Sequence, residues 1–244
     1  MKVAVIGRET TVGRTLCDVL GAAGPAVEVV EVATEPGAGH RAWVEALGGA
    51  EAVVDVADAA VPHDHDVRES VLAATRRAVV AAERSGASHF VLVSSAGLGR
   101  PAEELHFRAR LGAERLVEAS RLPHTIVRTT QLFESVERLV VQGLHAERTR
   151  ARVVVQPIAA RDVAAAVAEI VHRPPRRGVV ALAGPETFHL DELVERLRLA
   201  RSLHRERWAT PAQGSGSPAP LPGGTATLTS TRLHDWLSTA TVGR

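Results

Sequence analysis

Gly7, Thr10 and Gly13 are spaced three residues apart near the start of the chain, and such a turn could bind a phosphate group. They follow the apolar run at 3–6, which is too short for a helix and is typical of a buried parallel strand. A helix is predicted next, over 14–24. A strand, a glycine-marked turn and a helix indicate a dinucleotide-binding unit, in which bare N–H groups at the helix start face a pyrophosphate.

The turn departs from a G-x-x-G-x-x-G spacing at its middle position. Thr10 stands where a glycine would let the backbone come closest to phosphate, and Glu9 adds negative charge beside it. Thr34 and Glu35 follow the second predicted strand, so Arg8 is the nearest cation for a ribose 2′-phosphate. We therefore expect weak binding of NADP or NAD, without a strong preference for the 2′-phosphate.

The composition excludes several kinds of site and partner. The chain has no Tyr and Lys2 is its only lysine, so no catalytic Tyr–Lys pair can exist. Cys17 is the only cysteine, so an intrachain disulfide is excluded, and a buried thiol is expected on the first helix. The net charge of +1 gives no reason to expect a nucleic-acid partner. Since no apolar run approaches the roughly 20 residues of a membrane span, we expect a cytoplasmic protein without a membrane partner.

An H-x-H pattern occurs in an acidic loop, at His63 and His65. Two imidazoles with flanking carboxylates could hold a metal ion, but a third ligand at recognisable spacing is absent from the sequence. A solvated approach to the next helix, with Asp66 as its N-cap, explains the same residues. We predict no metal site.

Apolar segments of strand length alternate with amphipathic segments of helix length along the chain. Strands are predicted over 3–6, 26–33, 52–56, 89–93, 123–128, 152–155 and 179–182, and helices over 14–24, 41–47, 67–86, 103–120, 134–146, 161–172, 190–203 and 231–238. This alternation predicts an α/β protein with a doubly wound, Rossmann-like parallel sheet of order 3-2-1-4-5-6.

The chain length of 244 residues and the hydrophobic content of 45% suit a single domain over 1–244. We expect a dinucleotide-binding core at 1–150 and a small C-terminal portion at 151–244 that covers the substrate cleft. The Pro/Gly/Ser-rich segment 209–224 is typical of a linker. The helix that follows should dock on the protein body through Leu233 and Trp236, which share one of its faces.

Several stretches of the chain agree with one protein family. The matching stretches, in chain order, are MKVAVIG, AEAVVDV, SHFVLVSSAG, HFRARLGAERLVEASRLPHTIVRTTQLFE, VVQPIAARDVAAAVAEIV, VALAGPETFHLDELV and RLHDWL. The chain resembles the NmrA-like atypical short-chain dehydrogenases, which are NAD(P)-binding Rossmann proteins. The resemblance implies a cofactor over the C-terminal edge of the sheet and a substrate cleft roofed by the C-terminal segments.

The resemblance also implies a set of site residues. The expected cofactor-binding residues are Gly7, Arg8, Thr10, Thr11, Val12, Gly13, Val56, Ala57, Ser94 and Arg110, and the expected catalytic residues are His106, Arg110 and Ser95. The family's Tyr-x-x-x-Lys falls on His106 and Arg110. An imidazole with its unperturbed pKa near ~6.5 can donate a proton at neutral pH. Arg110 stays charged, so it could hold ribose hydroxyls or an anionic oxygen but could not shuttle a proton.

Three classes of function follow from this altered pair. The first is an NAD(P)-dependent oxidoreductase acting on a small carbonyl or quinone-like substrate, with His106 as the proton donor. The second is a non-redox enzyme on the same scaffold, such as a cyclase, dehydratase or isomerase. The third is a dinucleotide or ligand sensor without turnover. The fold alone does not decide among them.

Overall fold

The computed structural model describes most of the chain. The described residues are 1–24, 26–32, 40–56, 67–96, 105–141, 154–202 and 226–240. The strands are β1 (Lys2–Ile6), β2 (Glu28–Val32), β3 (Ala52–Asp55), β4 (His89–Ser95), β5 (His124–Thr129), β6 (Val154–Val155), β7 (Gly178–Ala183), β8 (Phe188–His189) and β9 (Thr227–Leu228). The helices are α1 (Thr11–Ala22), α2 (His40–Ala46), α3 (Val67–Ser85), α4 (Leu105–Glu118), α5 (Phe133–Val141), α6 (Ala160–Val171), α7 (Leu190–Ser202) and α8 (Leu233–Ala240).

A seven-stranded sheet lies at the centre of the described residues. Its strands follow the order β2-β1-β3-β4-β5-β7-β9, and each neighbouring pair is parallel. Helices α1 and α6 bury their apolar faces on one side of the sheet, and α2, α3 and α4 bury theirs on the other. The predicted class, an α/β protein with a doubly wound parallel sheet, is confirmed.

The strand order differs from the predicted 3-2-1-4-5-6. The third strand does not lie beyond the second; β3 lies between β1 and β4, and β2 forms the edge. The side chains explain the difference. All four residues of β3 are buried, as an interior strand requires, whereas Glu28 of β2 is exposed. Charged side chains suit an edge strand because they discourage pairing with another chain.

Two short strands escaped the sequence analysis. β8 pairs with β6 in a separate antiparallel sheet, and β9 extends the main sheet beside β7. Each is two residues long, which is too short to carry an alternating pattern. Cys17, which the sequence placed on the inner face of α1, is only partly buried there.

The C-terminal helix α8 packs against α5, as predicted from its apolar face. Leu233 and Trp236 are buried, and the Trp236 ring stacks on Phe133 at a centroid distance of 5.3 Å. The indole Nε1 of Trp236 donates to Oε1 of Glu134 at 2.8 Å. Burial raises the pKa of the Glu134 carboxyl. The predicted linker 209–224 lies outside the described residues.

Two histidines, His89 and His124, lie at the N-terminal ends of β4 and β5. His89 is 4% exposed, and its Nε2 lies 2.9 Å from the hydroxyl of Thr125. Among the described residues, its Nδ1 has no hydrogen-bond partner. Burial, together with the nearby His124, lowers the pKa of His89. The folded protein therefore favours the neutral imidazole at this position.

We expect His89 to make the fold sensitive to acid. Below the pKa of about 6.5 of an unfolded His, the unfolded chain binds a proton that the folded chain resists, so the free energy of unfolding falls. The free energy of unfolding should therefore be lower at about pH 5.5 than at about pH 7.5. Urea denaturation at both pH values measures it. His89→Leu should flatten the dependence, whereas His172→Gln at an exposed site should not; equal slopes in wild type and His89→Leu would contradict the prediction.

Candidate functional site

The turn between β1 and α1 is closed by backbone hydrogen bonds. Gly7 has a φ of +89°, a conformation that glycine adopts at no steric cost. The backbone N–H of Thr10 donates to the carbonyl oxygen of Gly7 at 3.0 Å. Thr10 is the N-cap of α1, and its hydroxyl oxygen accepts from the N–H of Gly13 at 2.9 Å. The helix therefore begins at Thr11, three residues before the predicted start at 14.

The side chain of Thr10 is bonded to the turn itself. Its hydroxyl donates to the carbonyl oxygen of Gly7 at 2.8 Å and lies 3.4 Å from that of Val56. The sequence interpretation treated this residue as added bulk facing a phosphate and missed its capping role. A Thr directly before the first residue of an amphipathic helix is an N-cap signal, and this signal could have shown the role of Thr10. The predicted weak affinity for the dinucleotide stays a prediction.

Gly13 allows α1 to start directly against the turn. A Cβ atom placed there would overlap the carbonyl oxygen of Gly7 and lie 2.8 Å from the Cα of Arg8. Both neighbours are backbone atoms, which cannot swing aside as a side chain can. Gly13 thus supplies the close packing of helix on strand that dinucleotide-binding turns require.

The start of α1 offers donors for an anion. Among the described residues, the backbone N–H groups of Thr11 and Val12 have no acceptor, and the first turn of α1 contains no acidic residue. Arg8 is exposed in the turn. Free N–H groups at the positive end of a helix favour negative charge. This donor set fits the pyrophosphate of a dinucleotide.

A second group of predicted residues meets at the C-terminal end of β4. Arg110 of α4 is 7% exposed, and its Nη1 donates to the carbonyl oxygen of Val93 at 3.1 Å. Ser94 follows directly and is 2% exposed; its hydroxyl has no partner among the described residues. Ser95 is half-buried at the strand end. The fold therefore brings Arg110 to the strand end that carries both serines.

His106 lies in the first turn of α4, one helical turn before Arg110. Its side chain is outside the described residues, so its role as proton donor stays a prediction.

Of the other predicted site residues, Val56 is described. It is buried just after β3, and its N–H donates to the carbonyl oxygen of Ile6 at 3.0 Å. Ala57, Thr34 and Glu35 lie outside the described residues, as do His63 and His65.

Sequence reasoning missed an ion pair beside this site. Glu114 of α4 is 1% exposed, and Nε of Arg128 on β5 donates to its Oε1 at 3.0 Å. Hydrogen bonding to Glu114 raises the pKa of Arg128. Arg128 lies in register with Ser94, so the pair borders the strand ends. No local pattern predicts this pair, because Glu114 and Arg128 lie on different elements.

The described residues hold neither a metal-type cluster nor a membrane-spanning helix. No group of three or more His, Cys, Asp or Glu side chains in them could hold a metal ion. No helix in them is long and apolar enough to cross a bilayer.

The sequence matches the model of a protein family described as NAD(P)H-binding. The match covers residues 18–174, more than half of the chain. It begins inside α1, after the turn between β1 and α1. No curated protein sequence matches the chain.

Solved structures share the fold at low sequence identity. The UDP-N-acetylglucosamine 4-epimerase of Bacillus cereus has a TM-score of 0.66 and 13% identity, over 83% of this chain and 84% of that one. The dTDP-glucose 4,6-dehydratase of Streptomyces venezuelae, with bound NAD, has a TM-score of 0.64 and 16% identity, over 83% and 81%. A short-chain dehydrogenase/reductase superfamily protein of Agrobacterium tumefaciens, also with NAD, has a TM-score of 0.62 and 17% identity, over 83% of each chain. At these identities the likeness concerns the fold.

Proposed function

This chain belongs to the NAD(P)H-binding family, and we propose that it is an NAD(P)H-dependent oxidoreductase that reduces a small carbonyl or quinone-like substrate. The predicted cofactor, NADP or NAD, agrees with the family. Residues 7–13 would hold its pyrophosphate through the free N–H groups at the start of α1. Val56 and Ser94, at the C-terminal ends of neighbouring strands, would border the rest of the cofactor.

The placement of Arg110 is the observation that carries the proposal. Its guanidinium reaches the carbonyl oxygen of Val93, so α4 runs directly against the C-terminal end of β4. His106 stands four positions before Arg110 on the same helix, and positions four apart share a helix face. A cofactor over this edge and a substrate beside Ser95 would then be within reach of both residues.

The chemistry assigned to these residues is a proton-coupled reduction. Reduced nicotinamide, when bound, would supply a hydride to the carbonyl carbon. The hydroxyl of Ser95 would donate a hydrogen bond to the substrate oxygen and so orient the carbonyl group. An imidazole N–H of His106 gives a proton to that oxygen, which completes the alcohol. Arg110 keeps its charge throughout and stabilises negative charge on the oxygen.

A non-redox reaction is the second candidate. The chain has no Tyr and only Lys2, so the family's usual proton-transfer pair is replaced. A His at that position could act as acid or base in a dehydration or isomerisation without net transfer of hydride.

Cofactor titration followed by turnover tests the proposal. We expect NADH or NADPH fluorescence to change on binding, and the absorbance of the reduced nicotinamide to fall when a panel of small aldehydes, ketones and quinones is added. Binding without consumption of the reduced cofactor by any of these substrates would contradict the reductase. Conversion of substrate without such consumption would favour the non-redox enzyme, and binding alone would favour a sensor.

A further inference from the structure

Arg138 reaches the start of α1 from a distant part of the chain. It lies on α5, and its Nη2 is 3.4 Å from the hydroxyl oxygen of Thr11. The two residues are 127 positions apart. No short motif joins them, so the sequence analysis did not connect Arg138 with the phosphate turn.

The acidic neighbours of Arg138 on α5 are bonded elsewhere. Both carboxylate oxygens of Glu134 accept from the N–H of Ala160, and Oε1 also accepts from Trp236. Oε1 of Glu137 accepts from Nη2 of Arg201 at 2.9 Å. Within the described residues, no carboxylate forms an ion pair with Arg138.

The helix that carries Arg138 is firmly packed. Phe133 is 0% exposed and Val136 is 4% exposed, and both belong to the apolar cluster that also contains Trp236. The ion pair between Glu137 and Arg201 connects α5 to α7. A guanidinium on an anchored helix loses less freedom when it binds an anion than one on a loose segment.

Cationic side chains belong to the turn and to the first turn of α1. Arg8 lies in the turn, and Nη1 of Arg14 donates back to the carbonyl oxygen of Glu9 at 3.0 Å. Arg138 brings a further cation to the start of α1, the end of a helix that disfavours positive charge and favours anions. Glu9 is the only acidic residue in the turn. A pyrophosphate bound there would offset the positive charge at this end of the helix.

We propose that Arg138 is a cofactor-binding residue whose guanidinium contacts the pyrophosphate of NAD(P). The contact with Thr11 places it at the helix start, beside the free N–H groups, rather than at the end of β2, where a 2′-phosphate would be recognised. The inference rests on cofactor binding by the family and not on the proposed reaction.

Dinucleotide affinity of Arg138→Gln tests the inference. Loss of a charge-assisted hydrogen bond should weaken NADH and NADPH binding by the same factor, about tenfold or more. The dependence of affinity on salt concentration should also become shallower. Arg138→Lys should fall between wild type and Arg138→Gln, because a point charge remains without the guanidinium fork. Arg115→Gln, at an exposed site on α4, is the matched control and should leave both affinities unchanged.

The other possible results of these titrations separate the role of Arg138 from the proposed reductase activity. Unchanged NADH and NADPH affinity in Arg138→Gln, with the wild type binding either cofactor, would overturn the role of Arg138 while leaving the proposed reductase intact. A loss confined to NADPH would overturn it too, because it would assign Arg138 to the 2′-phosphate. Conversely, a tenfold loss in a protein that binds cofactor but reduces no carbonyl or quinone would support Arg138 and contradict the reductase. Thermal melting of each variant shows whether the fold is retained.

Discussion

Gly13→Ala should abolish measurable cofactor binding and lower the free energy of unfolding by about 3 kcal/mol. The added Cβ would overlap the carbonyl oxygen of Gly7, so α1 must move away from the turn. That movement is opposed by Leu16 and Leu20, which are buried in the core beside the sheet. It would also displace the N–H groups at the start of α1 that are proposed to bind the pyrophosphate. Fluorescence titration with NADH and urea denaturation measure the two effects.

Gly21→Ala is the matched control for this substitution. Gly21 lies in the same helix, and nothing stands within 4 Å of a Cβ atom placed there. Because alanine favours a helix more than glycine does, the free energy of unfolding should rise by roughly 0.5–1 kcal/mol, with cofactor affinity unchanged. Equal stability and affinity in Gly13→Ala and wild type would mean that the turn opens without cost, and the steric argument would be wrong.

His106→Phe should lower turnover roughly a hundredfold while leaving NADH affinity within about twofold of wild type. The imidazole is assigned the proton transfer, and phenylalanine has a similar ring but no proton to give. The measurement is kcat with a substrate found in the carbonyl and quinone panel. Its pH profile should lose the limb that the imidazole provides, which a purely structural role would not remove.

Two further variants make this test specific. Arg110→Lys should lower kcat less than His106→Phe does if Arg110 contributes charge alone, since a lysine keeps the charge. His172→Phe replaces an exposed histidine at the C-cap of α6 and should change neither kcat nor affinity. Full turnover in His106→Phe would remove the proton-transfer role from this residue and favour the sensor.

The sequence by itself determined the class of the fold and the position of its first unit. The run at 3–6 became β1, and the 52–56 run became β3 with a boundary one residue shorter. These predictions succeeded because burial of apolar side chains sets the period of a strand or helix within one short segment. The docking of Trp236 was predictable for the same reason: an apolar helix face needs a partner.

Only the tertiary structure decided which segments meet. The order of β2, β1 and β3 depends on which strand is best buried on both sides, and that comparison involves the whole sheet. Arg128 and Glu114 pair across two elements, and Arg138 reaches Thr11 over 127 positions. Such contacts arise from how elements stack, and no local period encodes them. The turn was therefore visible in the sequence, whereas the position of Arg138 beside it became visible only in the fold.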